Sequence, residues 1–295
     1  MNQHKPVIFI DSGVGGLPYY ESFKKNMPTY PAIYVADRAN FPYGPKEKEL
    51  LSSLLAKLVE QLVTRYDPAL VVLACNTASV TSLGYLRSSF PGLTFVGTVP
   101  AVKPAVLATQ KNRVLVLATE RTVQDPYIYD LARQFNAQCA VIGQGAPELV
   151  QFVEREYVHA SKTMREEMVR PYLAQSLEAG CDGLVLGCTH FLFLLEEFQL
   201  LAPPGLSIYH SLDGVAQRVV TLLKGMGLPE KRSVPGEDTE HSMVSEVLSA
   251  GEAQPHRSFP SSVSPDRLVI TGSQDLDVGW SSLMRLYNFR REPWR

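Results

Sequence analysis

The chain carries one strand-and-loop pattern twice, and that repetition limits its folds more than any other feature. Leu70-Val-Val-Leu-Ala-Cys75-Asn76-Thr77 and Gly183-Leu-Val-Leu-Gly-Cys188-Thr189-His190 each run from branched apolar residues into a cysteine and a threonine. A run of this kind, without polar alternation, reads as a parallel strand covered on both faces. The small polar residues that end it mark the crevice where α/β sheets receive ligands.

The remaining elements alternate in the same sense. Val7-Ile-Phe-Ile10 is a strand, and Asp11-Ser-Gly-Val-Gly-Gly-Leu17 turns it into a helix starting near Pro18. Ala32-Ile-Tyr-Val-Ala36 is the next strand, followed by a loop with Asp37 and Phe41-Pro-Tyr-Gly44 and an amphipathic helix from about Lys46 to Tyr66. After Cys75 the pattern predicts a helix to about Phe90, a strand near Thr94 to Val96, a helix after Pro100 and the strand Arg113 to Leu117. Helices at Val123 to Phe135, Pro147 to Glu156 and Thr163 to Ala179 surround two further strands, the second ending at Cys188. Alternating elements argue for an α/β fold: two similar lobes, each a mainly parallel sheet flanked by helices, with the active site in the crevice between them. One cysteine-ended strand per half places the crossings near residues 98 and 209. The first lobe is then 1–98 plus 210–295 and the second 99–209. The stretch 228–266, rich in Pro, Ser, Gly, Glu and His, reads as a mobile surface insertion. Leu268-Val-Ile-Thr-Gly272 reads as a last strand and Trp280 to Phe289 as a closing helix.

With 295 residues and 45% apolar side chains the chain can bury a large core. Its 28 basic and 30 acidic residues nearly cancel, and no cationic block offers a footprint for nucleic acid or an anionic membrane. A small-molecule partner fits better. Met1-Asn-Gln-His-Lys-Pro6 has neither a basic n-region nor an apolar signal core, and no stretch reaches spanning length, so the expected location is cytoplasmic. The four cysteines, Cys75, Cys139, Cys181 and Cys188, are expected reduced, without zinc-site spacing. His4, His159, His210, His241 and His256 show no ligand spacing either, so no metal is expected.

A single cysteine of this kind reads as a small buried hydrophobe. Two in matched contexts, each opening a helix and followed by hydroxyl and amide or imidazole donors, read as reactive thiols. The helix N-terminus is expected to lower their pKa toward neutrality. Cys139 and Cys181 lack that context. Facing each other across a small molecule, Cys75 and Cys188 can take a proton from one face and return it to the other, which is the logic of a racemase. Asp11 and Ser12 end the first strand at the same edge, where a carboxylate can assist Cys75 and a hydroxyl can bind substrate. The turn Gly13-Val-Gly15-Gly16 misses the dinucleotide spacing. His190 is placed to orient or protonate the Cys188 thiol, against the plainer reading of a capping histidine. Glu154 offers a second carboxylate on the Cys188 side, against the plainer reading of a solvated helix residue.

These residues resemble the glutamate racemases of the aspartate/glutamate racemase superfamily. The resemblance runs to about Val220 and rests on Asp11 to Leu17, Ala36-Asp-Arg-Ala-Asn-Phe-Pro-Tyr-Gly44, Ala74-Cys-Asn-Thr-Ala-Ser79, Val99-Pro-Ala-Val-Lys-Pro-Ala105 and Gly187-Cys-Thr-His190. It implies two α/β lobes around one site and two cysteines, Cys75 and Cys188, as acid and base, with no cofactor and no metal. It implies glutamate binding at Asp11, Ser12, Tyr43, Gly44, Asn76, Thr77, Thr189 and His190, and a homodimer as the usual assembly. It further implies a role in supplying D-glutamate for peptidoglycan. Leu192 stands where the family usually has proline, and Ala146-Pro147 where it has Cys-Pro. No N-terminal arm of the sort associated with activation by a cell-wall precursor is evident, and no motif bears on the gyrase inhibition known for some members.

The Cα–H of an amino acid is a weak acid beside a thiol, so the site must stabilise the carbanion. Backbone N–H groups with Asn76, Thr77 and Thr189 can hold the carboxylate where charge builds. One thiol enters ionised and the other protonated, and the two titrate as a pair. Alternatives are a racemase of aspartate or a related acid, a one-cysteine decarboxylase of the superfamily, and a two-lobed amino-acid-binding protein without catalysis.

Overall fold

The computed structural model describes residues 5–227, 266–272, 280–282, 284, 287 and 289–294. Except for Asp266, the stretch read as an insertion lies outside the described residues, as do His4, His241 and His256 and much of the expected closing helix.

Among the described residues, ten strands form two sheets. The first is built from β1 (Val7–Asp11), β2 (Ala32–Ala36), β3 (Leu70–Leu73), β4 (Thr94–Gly97), β9 (Asp266–Ile270) and β10 (Phe289–Pro293), in the order β10-β9-β2-β1-β3-β4. The second comprises β5 (Arg113–Ala118), β6 (Ala140–Gly145), β7 (Gly183–Leu186) and β8 (Ser207–Tyr209), in the order β6-β5-β7-β8. Every pairing is parallel, with Val7 opposite Ala32 and Leu70, and Val114 opposite Val141 and Gly183. In each sheet the chain steps from a central strand to one side and then crosses to the other. The carboxyl ends of β1 and β3, and of β5 and β7, are therefore topological switch points, where a crevice opens. Cys75 and Cys188 follow β3 and β7 at those points.

Among the described residues the sheets are covered by the helices α1 (Leu17–Asn26), α2 (Lys48–Tyr66), α3 (Asn76–Ser89), α4 (Val102–Ala108), α5 (Glu120–Gln124), α6 (Pro126–Phe135), α7 (Pro147–Arg155), α8 (Lys162–Glu178), α9 (Leu195–Leu201) and α10 (Leu212–Gly225). Among the described residues, none is long and apolar enough to cross a membrane. The alternation of β1 serves both faces. Ile8 and Ile10 pack with Leu51, Leu55 and Leu62 of α2 and Leu86 of α3. Val7 and Phe9 join a core that continues through Phe23 of α1 to Leu115, Leu117, Leu149 and Leu186 of the second sheet and its helices. One apolar core therefore holds both sheets, and each fully buried Leu or Phe in it is worth about 1.5–3 kcal/mol.

Four expectations are corrected. The helix read across Val123 to Phe135 is two, because Asp125 precedes proline, a position that disfavours helix, and caps α6 by accepting from Tyr127 N at 2.9 Å. The strand at Leu268 is not the last: Phe289–Pro293 pairs beyond it as a polar edge strand with no apolar run to betray it, and Phe289 opens that strand instead of closing a helix. The short strand β8 also lacks an apolar run. Cys188 opens a 3-10 segment, Thr189–Leu194, and not an α-helix.

Candidate active site

Both cysteines sit in extended backbone and cap a helical segment, α3 for Cys75 and the 3-10 segment for Cys188, with φ −140° and ψ 120° at Cys75 and φ −130° and ψ 138° at Cys188. Both are buried and both line one cavity of about 270 Å³. At roughly 30 Å³ per water, that volume suits an amino acid better than a nucleotide. Ser12, Tyr43, Gly44, Asn76, Thr77 and Thr189 also line it. Asp11 and Glu154 stand behind the wall.

The glycine turn is where the two halves touch. A Cβ at Gly15 would lie 2.5 Å from His190 Nδ1 and 2.6 Å from Thr189 Oγ1, so only glycine admits them. Tyr34 fixes the turn from below, donating to Gly13 O at 2.9 Å and accepting from Gly16 N at 3.1 Å. Asp11 is fully buried. It accepts from Gly13 N at 2.7 Å and from Thr189 Oγ1 at 3.3 Å, and burial raises its pKa to about 6 against the pull of His190 and these donors.

Glu154 is not a solvated helix residue. Amphipathic α7 turns its carboxylate onto the glycine turn, where Oε1 accepts from Val14 N at 2.9 Å and pairs with His190 Nε2 at 2.7 Å. Arg38 donates to Oε2 at 2.9 Å. Burial opposes the ionised carboxylate, yet His190 and Arg38 hold the Glu154 pKa below its usual value. The other ring nitrogen of His190, Nδ1, lies 3.7 Å from Cys188 Sγ. Burial alone would lower the imidazole pKa. Its bonds to Cys188 and Glu154 outweigh that and raise it well above the ordinary value. The relay Arg38, Glu154, His190, Cys188 can thus hold a proton beside one thiol.

Cys75 departs from the sequence expectation. Its pKa is raised well above the usual thiol value, first by burial and then by the charge of Asp11, and the Thr77 and Ala78 amides do not offset them. A helix N-terminus favours a thiolate only where the thiol keeps some solvent.

Asn76 is 2% exposed, and neither its Oδ1 nor its Nδ2 has a partner; Gln151 Oε1, also on the cavity wall, is unpartnered too. Buried amides left open cost about 1–3 kcal/mol each unless a ligand completes them. Among the described residues no Lys or Arg lines the cavity, so amides, hydroxyls and the His190 imidazole would meet an anionic ligand there. Among the described residues no group of three His, Cys, Asp or Glu is placed to hold a metal.

Several contributors escaped the sequence reading. Thr119, just past β5, lines the cavity and its hydroxyl bonds the Thr77 hydroxyl at 2.9 Å. Asp37 accepts from Tyr43 OH at 2.8 Å. The one available signal was position, since both residues directly follow a strand, as Ser12 and Ala74 do.

A profile of the Asp/Glu/hydantoin racemase family matches residues 17–218. Glutamate racemase from Sphingopyxis alaskensis is 38% identical over 240 residues, covering 78% of this chain and 86% of the relative. The crystal structure of Escherichia coli glutamate racemase, in complex with L-glutamate and the activator UDP-MurNAc-Ala, superposes with a TM-score of 0.73 at 29% identity, over 98% of this chain and 97% of that one. Glutamate racemase RacE1 of Bacillus anthracis shares the fold with a TM-score of 0.74 at 21% identity, over 100% and 98% of the two chains. Two thiols on one cavity, each following a strand of a different parallel sheet, thus coincide with a match of both sequence and fold, and the chain belongs to the Asp/Glu/hydantoin racemase family.

Proposed function

We propose that the protein interconverts L-glutamate and D-glutamate by two-base proton transfer between Cys75 and Cys188, without cofactor or metal. The observation that carries this reading is the presence of two thiols on one amino-acid-sized cavity, each at the switch point of a different sheet. The substrate follows the relatives, which are named for glutamate.

One thiolate removes the Cα proton and the opposite thiol supplies a proton to the other face of the carbanion. The carbanion's charge spreads into the carboxylate, held by the open Asn76 amide, Thr77, Thr189 and Ser12. Tyr43 and Gly44 close the wall on the other side. Cys75, buried beside Asp11, favours the protonated form at rest, and Asp11 is the group to accept its proton. His190, kept protonated by Glu154, donates toward Cys188. The roles exchange with the hand of the substrate. We take the lobes as 1–98 with 210–295, and 99–209, and place the enzyme in the cytoplasm supplying D-glutamate for peptidoglycan.

The test is incubation of D-glutamate with the enzyme in D2O, with no added cofactor, monitored by proton NMR and optical rotation. Loss of the Cα proton signal together with rotation is expected. If both persist, glutamate is the wrong substrate. Aspartate and related acids then enter the same assay, with substrate protection of the thiols from alkylation separating an enzyme from a mere binder.

A further inference from the structure

Beyond residue 218, outside the family match, Thr271 is tied to the turn that leads into the cavity wall. Strand β9 lies beside β2 with Ile270 opposite Ala36, so the next residue of each strand, Thr271 and Asp37, stand side by side at the carboxyl edge of the sheet. Thr271 N donates to Ala36 O at 3.1 Å, which continues the pairing one step further. The Thr271 hydroxyl donates to Asp37 Oδ1 at 2.6 Å and accepts from Ala39 N at 3.0 Å. The same carboxylate takes Tyr43 OH on Oδ2 at 2.8 Å and Asn40 Nδ2 on both oxygens, at 2.9 and 3.1 Å. Asp37, Thr271 and Tyr43 are all buried, at 1%, 3% and 1% exposure.

We propose that Thr271 is a positioning residue of the racemisation site, its hydroxyl tying Asp37 to the 38–40 turn so that Tyr43 and Gly44 are held at the cavity wall. This rests on the glutamate-racemase reading for its kinetic consequence, but not for its geometric one. Asp37 is an acceptor with more than one donor to choose from, and Tyr43 reaches it from a loop with no ladder of its own. Removing the Thr271 hydroxyl takes away the short bond to Oδ1 and leaves the Ala39 N–H without its acceptor. The carboxylate is then free to turn toward Asn40 alone, and Tyr43 loses its fixed partner. Tyr43 and Gly44 border the space for substrate, while the tied turn also carries Arg38, which donates to Glu154 of the Cys188 relay. Arg38 keeps anchors of its own in Glu154 and the Phe41 ring, whereas Tyr43 depends on Asp37, so loss of the Thr271 hydroxyl falls mainly on how well substrate is held.

Thr271→Val keeps the shape of the side chain at a strand end, and Thr271→Ser keeps the hydroxyl. With Val, KM for both enantiomers is expected to rise about tenfold, the order of one charge-assisted hydrogen bond, with kcat within about twofold. Because the equilibrium constant of a racemisation is unity, kcat/KM must fall equally for the two hands. Ser is expected to restore the wild-type constants. Hydrogen–deuterium exchange of the intact protein gives a readout independent of turnover: amides of residues 38–46 should exchange at least about tenfold faster with Val, and at the wild-type rate with Ser. Unchanged KM and unchanged exchange in Thr271→Val, a loss confined to kcat, or no rescue by Ser would each overturn the proposal. If Val does not fold, Thr271→Ala carries the same two expectations. If wild-type enzyme leaves glutamate untouched, the substrate reading fails and the exchange experiment still decides the role of Thr271.

Discussion

Replacing Asp11 by Asn tests the electrostatics of the site without emptying space. The carboxyl is fully buried and its pKa is raised from 3.8 to about 6, chiefly by burial. A carboxyl with a raised folded pKa binds its proton more tightly folded than unfolded. Its stabilising contribution is therefore complete below about pH 3.8 and is lost as pH rises through about 6. The step from 3.8 to about 6, at roughly 1.36 kcal/mol per pH unit, amounts to about 3 kcal/mol. Asparagine keeps an oxygen for Gly13 N and presents its NH2 to the Thr189 hydroxyl, which can accept. Near pH 4 the variant and the wild type should then be of similar stability. Toward pH 7 the wild type must bury a charge and the variant need not, so Asp11→Asn should become the more stable by about 3 kcal/mol. Urea unfolding of both proteins at intervals from pH 4 to 7 measures this difference, and the contributions of all other titrating groups cancel in it to first order. The same variant should lose activity, because no carboxylate remains to accept the Cys75 proton. A difference that stays within about 1 kcal/mol across the range, or that moves in favour of the wild type as pH rises, would refute the reasoning.

Cys75→Ala and Cys188→Ala should each cut racemisation by at least about 10²–10⁴-fold with unchanged circular dichroism, the scale of losing a general acid or base; wild-type turnover in either would end the two-base scheme. Glu154→Gln removes the charge that helps keep His190 protonated, so imidazole nitrogen shifts near pH 7.5 should move from the doubly protonated pattern to the neutral one. The charged His190 stabilises the wild type at low pH and that contribution is lost as pH rises through its raised folded pKa, so the variant's stability should respond less to pH on the alkaline side. Gly15→Ala pushes a methyl into His190 and Thr189 and should cost about 1–3 kcal/mol in urea unfolding together with activity. Gly84→Ala, inside α3 with open space around it, should be neutral or gain up to about 1 kcal/mol.

What the sequence discloses and what it withholds divide along physical lines. Leu70–Leu73 and Gly183–Leu186 are legible because a strand buried on both faces must be apolar throughout, and the cysteine that ends each one inherits its place at a sheet edge. The edge strand β10 is not legible, since it has only one neighbour and can be polar. The same distinction runs through the site. Cys75, Asn76 and Thr77 are adjacent in the chain, so their meeting at one helix start is local. Glu154 meets Val14 across 140 positions, and Thr271 meets Asp37 across 234, and nothing in either neighbourhood announces the contact. Local reasoning errs in one direction as a result. It counts the amides at the start of α3, which favour a Cys75 thiolate, and misses the burial and the Asp11 charge that tertiary packing adds against it. The repeat explains why the two thiols are nevertheless not equivalent. It fixes the strand, the cysteine and its backbone angles in both halves, but not the neighbours: Asp11 comes to Cys75 from β1, whereas His190 and Glu154 come to Cys188 from the 3-10 segment and α7. Duplicated strands thus bring two like thiols to one cavity, and unduplicated elements give one a carboxylate and the other an imidazole. In the proposed two-base reaction each direction of proton transfer would then depend on a different helper, and Asp11→Asn and Glu154→Gln should slow the two directions' kcat unequally while leaving the ratio of kcat/KM for the two enantiomers at unity.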